Sequence, residues 1–184
     1  MESVFPSFLL VLASEMGDKT QLLALLLSAR YHRPGPVMAG IFVATLINHS
    51  LAAWAGGWAG GLVPPDTLRW ILALLFFVFA AWILVPDKDE DLSATSRGGA
   101  FLATAVAFFL AEMGDKTQIA TVSLGARFQD TFSVTLGTTL GMLVADGLAV
   151  FWGDRLTKRI PMVWVRRGAA VLFLLFGVFI LIGR

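Results

Sequence analysis

Two copies of Glu-Met-Gly-Asp-Lys-Thr-Gln, at Glu15–Gln21 and Glu112–Gln118, hold the residues of this chain best equipped for chemistry. Each copy sets a glutamate three positions before an aspartate (Glu15 and Asp18, Glu112 and Asp115), a helical spacing that turns both carboxylates toward nearly the same face. Gln21 and Gln118 lie three positions further on and extend that polar face. Thr20 and Thr117 add hydroxyl oxygens. Gly17 and Gly114, between the acids, allow a close helix approach or a local break that frees backbone carbonyls. If the two copies meet, they supply four carboxylates and several neutral oxygens, with no cysteine sulfur anywhere in the chain. Such a donor set suits the hard cations Mg²⁺, Ca²⁺ and Mn²⁺ better than Cu(I) or Zn²⁺.

Charge counting adds a second chemistry. The four acids with Lys19 and Lys116 leave a formal charge of −2, which one divalent cation would neutralise. Without metal, carboxylates so crowded take up protons instead. A site that holds either a divalent ion or protons is the minimum equipment for metal–proton antiport. Each lysine points about 100° around the helix from the aspartate beside it, so it is expected to pair with the opposite motif's acid. Buried salt bridges alone would account for neither the duplication nor the excess of acid. Further polar groups lie in other apolar stretches. Asp146 is a lone acid and so a candidate ligand, proton relay or partner for Lys19, with a simple buried hydrogen-bonding role as the other reading. His49 is read first as a satisfied core histidine and second as a nitrogen ligand, and Asn48 as an interhelical hydrogen-bonding group.

The elements that must position these groups are membrane spans. Hydrophobic residues make up 57% of the chain, against roughly 45–50% in soluble domains, and mean hydropathy is +0.78. Six apolar spans can be drawn, at about 4–28, 36–62, 67–85, 99–124, 131–153 and 163–183, each meeting or approaching the roughly 20 residues a spanning helix needs. They leave no room for a soluble domain, and a net charge of +1 gives no sign of nucleic-acid binding. Met1-Glu2-Ser3 lacks the basic start of a signal peptide, so the first span is expected to stay in the mature protein. No feature of the chain sets an oligomeric state.

The motif belongs to a longer repeat. An ungapped offset of 97 also pairs Arg30 with Arg127, Gly40 with Gly137, Leu51-Ala52 with Leu148-Ala149, and His49 with Asp146. Across residues 15–56, sixteen of forty-two positions match. Shared membrane composition would not place charges and glycines in register. The fold class expected is therefore all-α, six transmembrane helices in two three-helix repeats, residues 1–85 and 99–184, joined by a linker over 86–98. Three spans per half is an odd number, so the halves must be inverted, with the site near the midplane where they meet. Nine basic residues lie in connections after spans one, three and five, against Arg69, Arg127 and Arg184 opposite, which predicts a cytoplasmic linker and both termini outside. The acidic run Asp87, Asp89, Glu90, Asp91 is read as a solvated linker, with metal gathering as the other reading. Gly56, Gly57, Gly60, Gly61, Gly137 and Gly141 are read as helix-packing faces, and the six tryptophans as interfacial anchors.

The paired motifs resemble the E-x-G-D-[KR]-[ST] signatures of the Gdt family of Golgi and bacterial Mn²⁺/Ca²⁺ transporters, one in span one and one in span four, and the chain resembles the bacterial members. The resemblance covers the whole chain, with no departure in either signature. It implies a cation–proton antiporter that in bacteria exports Mn²⁺ across the plasma membrane, with Mn²⁺ or Ca²⁺ as substrate, no cofactor, and the family's acids falling on Glu15, Asp18, Glu112 and Asp115. Lys19, Thr20, Lys116 and Thr117 complete the motifs. An intramembrane hydrolase would not need a catalytic set mirrored in both halves. An exporter of amino acids or other organic cations, the alternative transport reading, would need a larger cavity with aromatic or amide groups. A purely structural membrane subunit would be destabilised by neutralising the acids.

Overall fold

The computed structural model describes residues 2–85, 99–157 and 162–182, so the acidic run Asp87–Asp91 lies outside the described residues. Among the described residues eight helices follow one another: α1 (Val4–Glu15), α2 (Lys19–Tyr31), α3 (Pro34–Gly61), α4 (Pro65–Trp82), α5 (Ala100–Glu112), α6 (Lys116–Phe128), α7 (Thr131–Thr157) and α8 (Met162–Ile182). Among the described residues, Pro34–Gly61, Pro65–Trp82 and Thr131–Trp152 are long and apolar enough to cross a membrane, while α1 and α5 are shorter apolar helices.

The motif itself makes α1 and α5 short. Met16 takes φ −63°, ψ 110° and Gly17 takes φ +81°, the dihedrals of a type II turn, which needs a glycine at its third position. The amide of Asp18 closes the turn on the carbonyl of Glu15 at 3.1 Å. The second copy repeats this, with Met113 at φ −65°, ψ 117°, Gly114 at φ +78° and Asp115 N–H to the Glu112 carbonyl at 3.2 Å. The expectation of two acids on one continuous helical face is therefore corrected. Glu15 and Glu112 end one helix, Asp18 and Asp115 open the next, and each apolar stretch at 4–28 and 99–124 is two helices. Gln21 and Gln118 close the break instead of extending a polar face, their Oε1 atoms accepting the amides of Gly17 and Gly114 at 2.9 and 2.8 Å.

Packing follows the 97-residue offset. Helix α1 lies on α7 as α5 lies on α3, α2 on α7 as α6 on α3, while α3 crosses α7 and α4 pairs with α8. Glycines set the closest approaches: a Cβ at Gly40 would meet the Phe101 carbonyl at 2.7 Å, and one at Gly137 would collide with the carbonyl of Val4, the repeat mates of that pair. Gly56 and Gly60 likewise abut Val122 and Ala126 of α6, whereas Gly57 and Gly61 have ordinary contacts or none tighter than 3.6 Å. Away from the motifs, Phe76 and Phe173 (ring centroids 6.0 Å apart) build an aromatic core between α4 and α8. A second core of Val11, Leu23, Ile41, Phe108 and Met142 lies among α1, α2, α3, α5 and α7. All six tryptophans are exposed.

Candidate cation site

The two breaks bring helix ends together in the interior. Helix N-termini carry positive partial charge, which favours an anion at Asp18 and Asp115, and neither aspartate spends its side chain on capping its own helix. Each is instead held across the repeat. Lys116 Nζ lies 2.8 Å from Asp18 Oδ1, and Lys19 Nζ lies 3.1 Å from Asp115 Oδ1. Each lysine thus reaches the opposite motif's acid, as its position on the helix predicts.

The carboxylates are deeply buried: Glu15 is 0% exposed, Glu112 1%, Asp18 2% and Asp115 8%. One oxygen each from Glu15, Glu112 and Asp115 lie within 4.8 Å of one another. Two oxygens that share one Ca²⁺ at 2.3–2.6 Å can stand at most about 5 Å apart, so this separation fits a common cation. Three of the four motif acids converge, and Asp18 stands outside the group, paired with Lys116. At low effective dielectric, carboxylates this close stay together only with positive charge among them, as a cation or as protons.

The threonine oxygens were expected as neutral ligands, but both hydroxyls donate to Glu15. Thr20 Oγ1 reaches Oε2 at 2.6 Å, and Thr117 Oγ1 crosses from α6 to Oε1. Both oxygens of Glu112, with Oδ2 of Asp18 and of Asp115, are buried without a hydrogen-bond partner among the described residues. Gln21 also turns its Nε2 to the Ala145 carbonyl of α7 at 2.8 Å, next to Asp146.

The remaining candidates divide. Asn48 donates from Nδ2 to the Phe109 carbonyl at 3.1 Å, tying α3 to α5 as an interhelical group should. His49 is fully buried with neither ring nitrogen partnered among the described residues, so it is not the satisfied core histidine its sequence context suggests, and it is not in the converging group. Asp146 is fully buried with both oxygens unpartnered among the described residues and within electrostatic reach of Glu15 and Glu112. Three buried threonine hydroxyls without partners among the described residues, Thr45, Thr135 and Thr139, escaped the sequence reading. Their only signal is a threonine in an apolar span, which more often bonds its own helix, as Thr138 does to the Val134 carbonyl at 2.9 Å.

Comparison with known proteins agrees with this chemistry. The profile of the divalent cation/proton antiporter GDT1 family matches residues 3–91 and 100–184. A Vibrio cholerae protein named "Putative manganese exporter" is 49% identical over 168 residues, covering 91% of this chain and 84% of its own. A GDT1-like protein of Synechocystis is 28% identical, covering 92% of each chain, and GDT1-like protein 3 of Arabidopsis thaliana is 27% identical, covering 96% of this chain and 69% of its own. No solved structure matches. With helices apolar enough to span a bilayer and an oxygen site buried between two copies of one motif, the chain belongs to the GDT1 family of divalent cation/proton antiporters, multi-pass membrane transporters and not enzymes.

Proposed function

We propose that this protein exports Mn²⁺, with Ca²⁺ as the other substrate its oxygens suit, from the cytoplasm in exchange for protons. The observation that carries the reading is the convergence of Glu15, Glu112 and Asp115 oxygens within 4.8 Å, in a buried place where two of the three residues keep oxygens unpartnered among the described residues. Hard oxygens suit either ion, and the name of the Vibrio cholerae relative supports manganese. Six spans serve this function, with α1–α2 and α5–α6 each forming one interrupted span. Residues 1–85 and 99–184 are the inverted halves, and 86–98 is the linker between them. The repeat-related contacts at Gly40 and Gly137 support that arrangement. The distribution of basic residues supports a cytoplasmic linker with both termini outside the plasma membrane.

In this mechanism Glu15, Glu112 and Asp115 take the cation, Lys19 and Lys116 hold Asp115 and Asp18 in place across the repeat, and rocking of the halves alternates access. Asp146 adds negative charge beside the site, and Gln21, Gln118, Thr20 and Thr117 shape the breaks. Protons from outside then replace the departing cation on the carboxylates. The test is Mn²⁺ and Ca²⁺ flux in proteoliposomes under an imposed pH gradient, comparing wild type with Glu15→Gln and Glu112→Gln. Gradient-driven flux that either substitution abolishes, in protein that still elutes as a folded species, is the expected result. Flux that survives both substitutions sinks the proposal.

A further inference from the structure

Seven identical residues ought to behave alike, and the backbones of the two motifs do. Gly17 and Gly114 share one conformation (φ +81° and +78°), each glutamine accepts its glycine's amide, and each lysine crosses to the opposite aspartate. The side chains of Thr20 and Thr117 break the equivalence. The first donates to Glu15 of its own motif and the second to the same Glu15 across the interface, while both oxygens of Glu112 stay buried and unpartnered among the described residues. The surroundings differ in the same sense: Gln21 Nε2 is anchored on the Ala145 carbonyl, and Met113 is 56% exposed, whereas Met16 is half-buried.

Proton counting makes this arrangement exclusive. A threonine hydroxyl carries one donor hydrogen, so two threonines can supply two donations, enough to hold one glutamate by both oxygens but not two. Nothing in the motifs prefers Glu15 to Glu112, because their sequences are the same. The mirrored arrangement, with Thr117 bonding Glu112 locally and Thr20 crossing to it, is equally open to the chain. We infer that Thr20 and Thr117 are positioning residues that clamp one motif glutamate at a time, loosening the hold of Glu15 on the cation here and that of Glu112 in the access state related to this one by the repeat. The inference rests on the carboxylates being the transported ion's site. It gives each glutamate a turn as the leading ligand: the clamped one shares its oxygens with the hydroxyls while the free one holds the ion, and the hydroxyls change partners as access changes.

The sign of an affinity change tests it. In detergent-purified protein, titration calorimetry with Mn²⁺ should show Thr20→Val/Thr117→Val binding about tenfold more tightly than wild type, because the bonds competing for Glu15 are gone. Turnover in proteoliposomes should fall, since both glutamates then grip the ion together. Thr20→Ser/Thr117→Ser keeps the donors and should restore both values. Weaker or unchanged binding by the valine variant overturns the clamp, weaker binding meaning that the hydroxyls are ligands. A second measurement needs no metal. Hydrogen exchange of Glu15→Gln should show protection moving from Met16–Gly17 to Met113–Gly114, because an amide is a poorer acceptor and the hydroxyls turn to Glu112. Protection that stays put overturns the clamp. Absence of Mn²⁺ and Ca²⁺ binding in wild type would overturn the ion-site reading instead, and the exchange result would then decide the clamp alone.

Discussion

At the residue scale, the site is governed by what each buried charge faces. Asp18 and Lys116 are 2.8 Å apart with side chains 1% and 10% exposed, so the pair sits where solvent cannot replace a lost partner. Removing one member of such a pair typically costs about 3–5 kcal/mol, because the other is stranded, whereas removing both together costs far less. Lys116→Met should therefore lower the thermal midpoint of the purified protein sharply, and Asp18→Asn/Lys116→Met should recover most of the loss. Additive losses in this cycle would mean that the ion pair is not what stabilises the break. Much of this residue chemistry was legible in the sequence: four acids, two lysines reaching across, and oxygen donors throughout. The partners of the hydroxyls were not. Which glutamate a threonine serves depends on a rotamer and on a neighbouring helix, and identical motifs carry no information about a difference between them.

At the element scale, the broken helices were half visible. Gly17 and Gly114 announced either a close approach or a break, and only the backbone, with positive φ at both, decides for the break. A type II turn with glycine third, followed four residues later by a glutamine that accepts the glycine's amide, is the local signal that a helical-periodicity reading passes over. The glycine stripes announce packing faces in the sequence, without separating faces that touch from faces that do not. The difference yields a matched pair of variants. At Gly56 a Cβ would run into the backbone of Val122, which no side-chain rotation relieves, while at Gly57 the nearest atom is 3.6 Å away. Gly56→Ala should cost protein yield and thermal stability by forcing α3 and α6 apart, and Gly57→Ala should behave as wild type. Equal behaviour of the two would remove the α3–α6 crossing as a determinant of the fold. The repeat mate of one such approach shows how the halves differ: Gly125 lies against the Ala53 carbonyl on α3, whereas its mate Ser28 donates to the Val150 carbonyl on α7 at 3.1 Å. One crossing is set by absence of a side chain, the other by a hydrogen bond.

At the scale of the whole molecule, the proposed three spans per half imply an inversion through arithmetic alone, since an odd number would return the second half to the membrane from the opposite side. Two residues are placed to test that arithmetic. His32 and Gln129 are exposed repeat mates, each ending its helix in the left-handed conformation (φ +50° and +54°) with its amide on the carbonyl four residues back at 2.9 Å. Local structure is therefore the same at both, and any difference in their accessibility reports the side of the membrane. The chain has no cysteine, so His32→Cys and Gln129→Cys each introduce a single reactive thiol. If the halves are inverted, a membrane-impermeant maleimide applied to intact cells labels Gln129→Cys at once and His32→Cys only after permeabilisation. That pattern also tests the direction proposed from the basic residues, which has the connection after α2 in the cytoplasm. Labelling of both thiols from the same side would place the halves in parallel. The two motifs could not then exchange roles by a rotation in the membrane plane, and alternating access at Glu15, Glu112 and Asp115 would need a different movement.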